Sequence, residues 1–100
     1  MSEQKEEVKE FRVLRVKAYE RKDCRKIVTV LVKVAVAKHP MPKHIILHVK
    51  LKDGSEKLAR AHFMSMYKNY AYYSLQAAHA RELAPLVEQI QEMKAYEEEQ

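Results

Sequence analysis

Glycine, cysteine and tryptophan are nearly missing from this chain of 100 residues, which has one glycine (Gly54), one cysteine (Cys24) and no tryptophan. Loops that hold phosphate with backbone amides need clustered glycines, so P-loops and dinucleotide fingerprints are excluded. A disulfide scaffold needs several cysteines, and a lone cysteine is typical of a reducing, cytoplasmic setting. Long apolar runs are lacking too, because the richest stretch, 27–37, includes Thr29 and Lys33 and is too short to cross a bilayer.

Positive charge is concentrated in one part of the chain. Residues 1–70 hold 17 Lys and Arg against 8 Asp and Glu, whereas residues 71–100 hold 2 against 6. A basic region of this kind favours an anionic partner, and an ordinary solvated face is the alternative. We expect a flexible segment at 1–9 and an acidic tail at 97–100. Thirteen lysines and 12 glutamates with a single asparagine follow the trend of thermophile proteins.

The first two-thirds of the chain have the alternating pattern of β-strands, predicted at about 10–19, 26–38, 43–52 and 56–64. Valine occupies every second position from Val28 to Val36, and β-branched side chains suit a pleated surface. Asp53-Gly54 predicts the turn between the third and fourth strands. Two registers are possible there, and we favour the one that leaves Arg60 and His62 on the outside.

From about residue 66 the apolar spacing changes to that of helices, predicted at about 66–83 and 85–96. Pro85 either kinks one helix or begins a second. The fold class is therefore α+β, in which a four-stranded antiparallel meander packs against one or two C-terminal helices, as a single domain over 10–96. A short seam on the last helix is either a coiled-coil contact of a homodimer or cover for the sheet; its residues are Leu83, Leu86, Val87, Ile90 and Met93.

Cations and aromatic rings alternate on the predicted open face of the sheet. Cations neutralise phosphates and rings stack on bases, which favours single-stranded nucleic acid over duplex. A cleft between sheet and helix, with Tyr67 and Tyr70, is a second candidate surface, although tyrosines at helical spacing are more often core. The predicted binding residues are Phe11, Arg15, Lys17, Tyr19, Lys33, His44, His48, Lys50, Arg60, Tyr67 and Tyr70.

Catalysis and metal binding have little support in the sequence. His44 and His48 would stand roughly 13 Å apart on a strand and could not share an ion. No carboxylate pair stands out for general acid–base chemistry, and nothing places a base beside Cys24. We therefore expect no cofactor, no metal and no enzymatic activity.

The basic strands at 12–17 and 26–33, the aromatic segment 67–73 and the seam at 83–93 together resemble the archaeal ThermoDBP and ThermoDBP-related proteins, which bind single-stranded nucleic acids. The resemblance implies a sheet packed on helices, a cleft with basic flanks that holds the strand, and in some members a dimerising zipper-like helix. It is a resemblance of architecture over most of the chain and rests on no diagnostic motif.

Two functions are consistent with these features. The first is sequence-tolerant binding of single-stranded DNA or RNA, with the choice between DNA and RNA left open. The second is a protein–protein interaction module or assembly subunit that acts through the C-terminal amphipathic helix, 83–93.

Overall fold

The computed structural model describes residues 9–22 and 26–98. These residues form seven strands: β1 (Glu10–Phe11), β2 (Val13–Lys22), β3 (Lys26–Ala35), β4 (His44–Leu51), β5 (Glu56–Met66), β6 (Tyr70–Leu75) and β7 (Ile90–Glu97). Between β6 and β7 lie a short helix, α1 (Ala77–Leu83), and a 3₁₀ helix (Ala84–Gln89).

The strands form one antiparallel sheet that curves into a half-barrel, in the order β1-β7-β4-β5-β6-β3-β2. The prediction of a four-stranded sheet packed on helices is therefore wrong. Strands β1 and β2 lie at opposite ends of this order but are separated in the chain only by Arg12. The chain itself therefore connects the two ends of the sheet through Arg12. The Arg12 carbonyl also accepts a hydrogen bond from the Ala35 N–H (2.9 Å).

Both predicted C-terminal helices, 66–83 and 85–96, are wrong over most of their length. Strand β6 occupies the middle of the first and strand β7 most of the second, and only residues 77–89 are helical. Strand β7 pairs with β4 and β1, so it extends the sheet instead of covering it. The ThermoDBP resemblance implies a sheet packed on helices and a zipper-like helix. The pairing of β7 within the sheet corrects both expectations.

The core fills the inner face of the half-barrel. Alternate residues of β3, β4 and β5 point inward, because a strand places every second side chain on one face, and α1 adds Ala80 and Leu83. The buried strand residues are Phe11, Val30, Val32, Val34, Ile45, Leu47, Val49, Leu51, Ala59, Ala61, Ala71, Tyr73, Leu75 and Ala95. The outer face carries the polar residues of the same strands.

The register between β4 and β5 is the one that the sequence analysis favoured. Ile45 lies opposite Ala61 and Leu47 opposite Ala59, so Arg60 and His62 are on the outer face. Gly54 has φ +93° in the connecting turn, a conformation that L side chains rarely adopt. Asp53 accepts hydrogen bonds from the Ser55 hydroxyl (2.6 Å) and N–H (2.9 Å), and these bonds, the hydroxyl first, lower the pKa of Asp53.

The predicted N-terminal segment and acidic tail lie only partly within the described residues. Residues 1–8 of the expected flexible segment lie outside the described residues, as do Cys24 and residues 99–100. Lys9 is described, and its carbonyl accepts a hydrogen bond from the Glu97 N–H (2.7 Å). Glu97 belongs to β7 and pairs with Lys38, and Glu98 pairs with Arg60, so these two residues are not part of a free acidic tail.

Candidate nucleic-acid interface

Three tyrosines form a triangle at the junction of β5 and β6. The ring centroids are 5.0 Å apart for Tyr67 and Tyr70, 5.5 Å for Tyr70 and Tyr72, and 5.8 Å for Tyr67 and Tyr72. Tyr67 is 50% exposed, and the other two are partly exposed. We call these three residues the tyrosine triangle; it presents aromatic surface to solvent on the outer face.

Lys33 connects the tyrosine triangle to the basic strands. It lies opposite Tyr72 on β6 and opposite Arg15 on β2, so the three side chains form one row across the sheet. The Lys33 ammonium stands 4.1 Å from the centroid of the Tyr70 ring, well within the range of a cation–π contact. The tyrosine triangle therefore has a cation in contact with one of its rings.

The next row of the outer face continues this pattern. Lys17 lies opposite Leu31 on β3, and its ammonium stands 5.2 Å from the centroid of the Tyr19 ring, so it makes a second cation–π contact. A shallow depression of about 30 Å³ lies between the two rows, among Arg15, Lys17, Leu31 and Tyr72. Cations and rings therefore lie next to one another over strands β2, β3 and β6.

The cations of these rows are not neutralised by carboxylates. Within residues 9–22 and 26–98, no Asp or Glu stands within ion-pair distance of Arg15, Lys17 or Lys33. By contrast, Arg60 pairs with Glu98 (2.9 Å) and Lys94 with Glu92 (3.6 Å). Among the described residues, the basic face near the tyrosine triangle thus has charge left to offer an anion.

Most of the predicted binding residues lie on one outer face. Besides those described above, His44 lies opposite His62, and His48 and Lys50 follow on β4. The outward and at least partly exposed members are Arg15, Lys17, Tyr19, Lys33, His44, His48, Lys50, Arg60, Tyr67 and Tyr70. Arg60 also lies on this face, but its guanidinium forms an ion pair with Glu98.

Phe11 is the exception, since it is 2% exposed and belongs to the core. The pairing of β2 with β3 shifts by one residue between Val13 and Arg15. Such a bulge changes the face to which the following side chains point. Phe11 and Val13 therefore pack inward, while Arg15 and Lys17 point outward, and the prediction that Phe11 contacts nucleic acid is corrected.

The predicted dimerisation seam does not exist as a helix surface. Leu83 is 2% exposed at the end of α1, and Leu86 and Val87 lie on the 3₁₀ helix. Ile90 and Met93 are in β7 and pack against the core. These five residues are spread over three elements, so 83–93 does not form the single amphipathic helix that the predicted seam needs. The homodimer and the interaction-module function stay predictions.

Three residues of the outer face were not predicted from the sequence. Tyr72 falls in the first predicted helix, 66–83, and Lys94 and Tyr96 fall in the second, 85–96. All three follow a two-residue alternation: Ala71, Tyr73 and Leu75 point inward on β6, as does Ala95 on β7. That alternation is visible in the sequence from Tyr70 to Leu75, but a helical period fits the same short segment.

Comparison with protein-family models, curated proteins and solved structures finds no match for this chain. The resemblance to the ThermoDBP group stays a prediction. No helix in the described part of the chain is long and apolar enough to cross a membrane. Within that same part, no cluster of three or more His, Cys, Asp or Glu side chains could hold a metal ion.

Proposed function

We propose that this protein binds single-stranded DNA or RNA without sequence preference, in the cytoplasm, through the outer face of β2, β3 and β6. The observation that carries the proposal is the tyrosine triangle with Lys33 at 4.1 Å from the Tyr70 ring, beside the unneutralised Arg15 and Lys17. The role is one of binding and involves no catalysis.

Rings and cations on a sheet suit a single strand for a physical reason. Every base has a π-face, so stacking on tyrosine tolerates any sequence, and stacking is worth about 1–3 kcal/mol per base. Bases of a duplex are stacked on one another and cannot reach a ring that lies on a sheet. The cations contact phosphates, which are present in every sequence.

The charge pattern favours a phosphate backbone over an acidic protein as the anion. The two cations in cation–π contact, Lys17 and Lys33, are each held beside a ring on the outer face. Every nucleotide of a nucleic acid likewise offers a phosphate close to a base. An acidic peptide would satisfy the cations but would leave the aromatic surface of Tyr67 without a partner.

Fluorescence anisotropy with labelled oligonucleotides tests the proposal. Single-stranded DNA, single-stranded RNA and duplex DNA of equal length are titrated at two salt concentrations. We expect one or both single strands to bind more tightly than the duplex, with an affinity that falls as salt rises. Light scattering on the same sample gives the oligomeric state.

Two variants locate the binding surface. Lys33→Glu should weaken single-strand binding on the order of ten-fold, because it reverses a charge at the centre of the face. Lys52→Glu makes the same charge change at an exposed turn position and serves as the control. Equal affinities for the two variants, or equal binding of single strand and duplex, would contradict the proposal.

A further inference from the structure

A second group of aromatic and basic side chains lies on the same outer face, across β7, β4 and β5. The rings of His48 and Tyr96 meet edge to face with centroids 4.8 Å apart. They line an open depression of about 600 Å³ together with Lys50, Lys94 and Leu58, and Leu58 is 61% exposed. An apolar side chain and two rings that are at least partly exposed together at one surface site indicate a binding surface.

The pairing of β4 with β5 and β7 places the side chains of this depression next to one another. Lys94, His48 and Leu58 are cross-strand neighbours in one row over β7, β4 and β5. Tyr96 is in the adjoining row, opposite Ile46. The rings therefore stand beside an apolar side chain, and a flat base could stack on them while touching Leu58.

This depression differs from the tyrosine triangle in its charge. Its lining holds three lysines and two glutamates, since Glu56 and Glu92 lie among them. Lys94 is 3.6 Å from Glu92, and Lys57 is 3.2 Å from Glu82. Little positive charge is left for phosphate, so stacking is the main interaction that this site can offer.

The two sites are connected along the outer face. A row of His44, His62, Ser74, Leu31 and Lys17 crosses β4, β5, β6, β3 and β2 between them. Strands are about 4.8 Å apart and rise about 3.3 Å per residue, so His48 is separated by roughly 22 Å from Tyr72, the nearest member of the tyrosine triangle, and by roughly 28 Å from Tyr70. An extended single strand of several nucleotides covers that distance.

We propose that the His48–Tyr96 depression is a second stacking subsite, which takes a base of the same single strand several nucleotides away from the tyrosine triangle. This inference rests on the proposed function. It adds a length requirement, because only an oligonucleotide long enough to cross the sheet occupies both sites.

The test compares a thymidine trinucleotide with a thymidine dodecanucleotide, each labelled, in anisotropy titrations. The variant is the double substitution His48→Ala and Tyr96→Ala. We expect it to lose roughly five-fold or more in affinity for the dodecanucleotide, which is the loss of one stacked base. Affinity for the trinucleotide, and the slope of log affinity against log salt, should stay unchanged, since no phosphate contact is removed.

Further variants separate stacking from folding. Tyr96→Phe keeps the ring and should retain wild-type affinity, and His39→Ala is a control at an exposed histidine outside the depression. Leu58→Glu changes only a largely exposed side chain and should also weaken dodecanucleotide binding. It therefore tests the site even if the double variant is unstable.

The outcomes are distinguishable. If wild-type protein binds neither oligonucleotide, the proposed function fails and this inference fails with it. If Lys33→Glu weakens binding but Leu58→Glu and the double variant match wild type on the dodecanucleotide, only the second subsite is overturned. A double variant that loses affinity equally for both lengths would also overturn it.

Discussion

Tyr73 is the only tyrosine of β6 that faces the core, and it is 0% exposed. Its hydroxyl donates a hydrogen bond to the Pro42 carbonyl oxygen (2.6 Å), and its ring meets Phe63 edge to face at 5.6 Å. The hydroxyl thus ties the loop before β4 to the centre of the sheet. Burial, and then the negative charge of Glu97, raise the pKa of Tyr73 well above its ordinary value of 10.0.

We predict that this tyrosine makes the protein sensitive to alkali. In the unfolded chain Tyr73 ionises near pH 10, but in the folded protein it stays neutral. Its contribution to stability is therefore complete below pH 10 and is lost progressively as pH rises above that value. The free energy of unfolding, measured by urea denaturation from pH 8 to 11, should decline less steeply in Tyr73→Phe than in wild type.

The same variant has an expected effect at neutral pH. Tyr73→Phe removes a hydrogen bond and should lower the free energy of unfolding by about 1 kcal/mol at pH 7. Parallel pH profiles for Tyr73→Phe and wild type would show that the alkaline loss comes from other groups.

At the residue scale, the outward side chains of β5 followed from alternation and from the preference for leaving Arg60 and His62 outside, because two registers were possible. On β4 alternation alone placed His48 and Lys50 correctly, since a two-residue period leaves no choice once the apolar face is known. It misplaced Phe11, since the bulge before Arg15 arises from pairing with β3 and has no mark in the local pattern.

At the element scale, Leu83 illustrates how apolar residues of the C-terminal third stabilise the core. Leu83→Ala should lower the free energy of unfolding by about 3 kcal/mol, because it opens a cavity under α1. Leu58→Ala is the matched control at an exposed position and should change it by less than about 0.5 kcal/mol. Chemical denaturation of both variants is the measurement, and similar losses would contradict the burial of α1 against the sheet.

The elements of the last third could not be predicted from local spacing. Tyr67, Tyr70 and Ser74 have helical intervals, yet Tyr70 to Leu75 also alternate, and both periods fit so short a segment. The choice is made by tertiary pairing: β6 lies between β3 and β5, and β7 covers the edge of β4. Those partners are distant in the chain, so periodicity does not reveal them.

At the scale of the whole molecule, the two faces of the sheet have different roles. The inner face supplies the core, and the outer face presents cations and rings from six strands, β2 to β7, without any glycine-rich loop. The net charge of +5 understates this face, because much of the acidic charge lies on other elements or in ion pairs.

The dependence of binding on salt should therefore reflect a small number of phosphate contacts. If Arg15, Lys17 and Lys33 each contact a phosphate, log affinity for a single strand should fall with log salt with a slope of about −2. Lys33→Glu should make the slope shallower by about 0.7, whereas Lys52→Glu should leave it unchanged. Anisotropy titrations at four or more salt concentrations measure the slope, and a slope near zero would contradict phosphate binding by this face.

Chemical-shift mapping tests the central claim most directly. ¹⁵N-labelled protein is titrated with a thymidine dodecanucleotide, and amide shifts are followed residue by residue. The account predicts that the largest changes occur at Tyr67, Tyr70, Tyr72 and Lys33 and continue along β2. Changes confined to α1 and the 3₁₀ helix, or no changes at all, would contradict it.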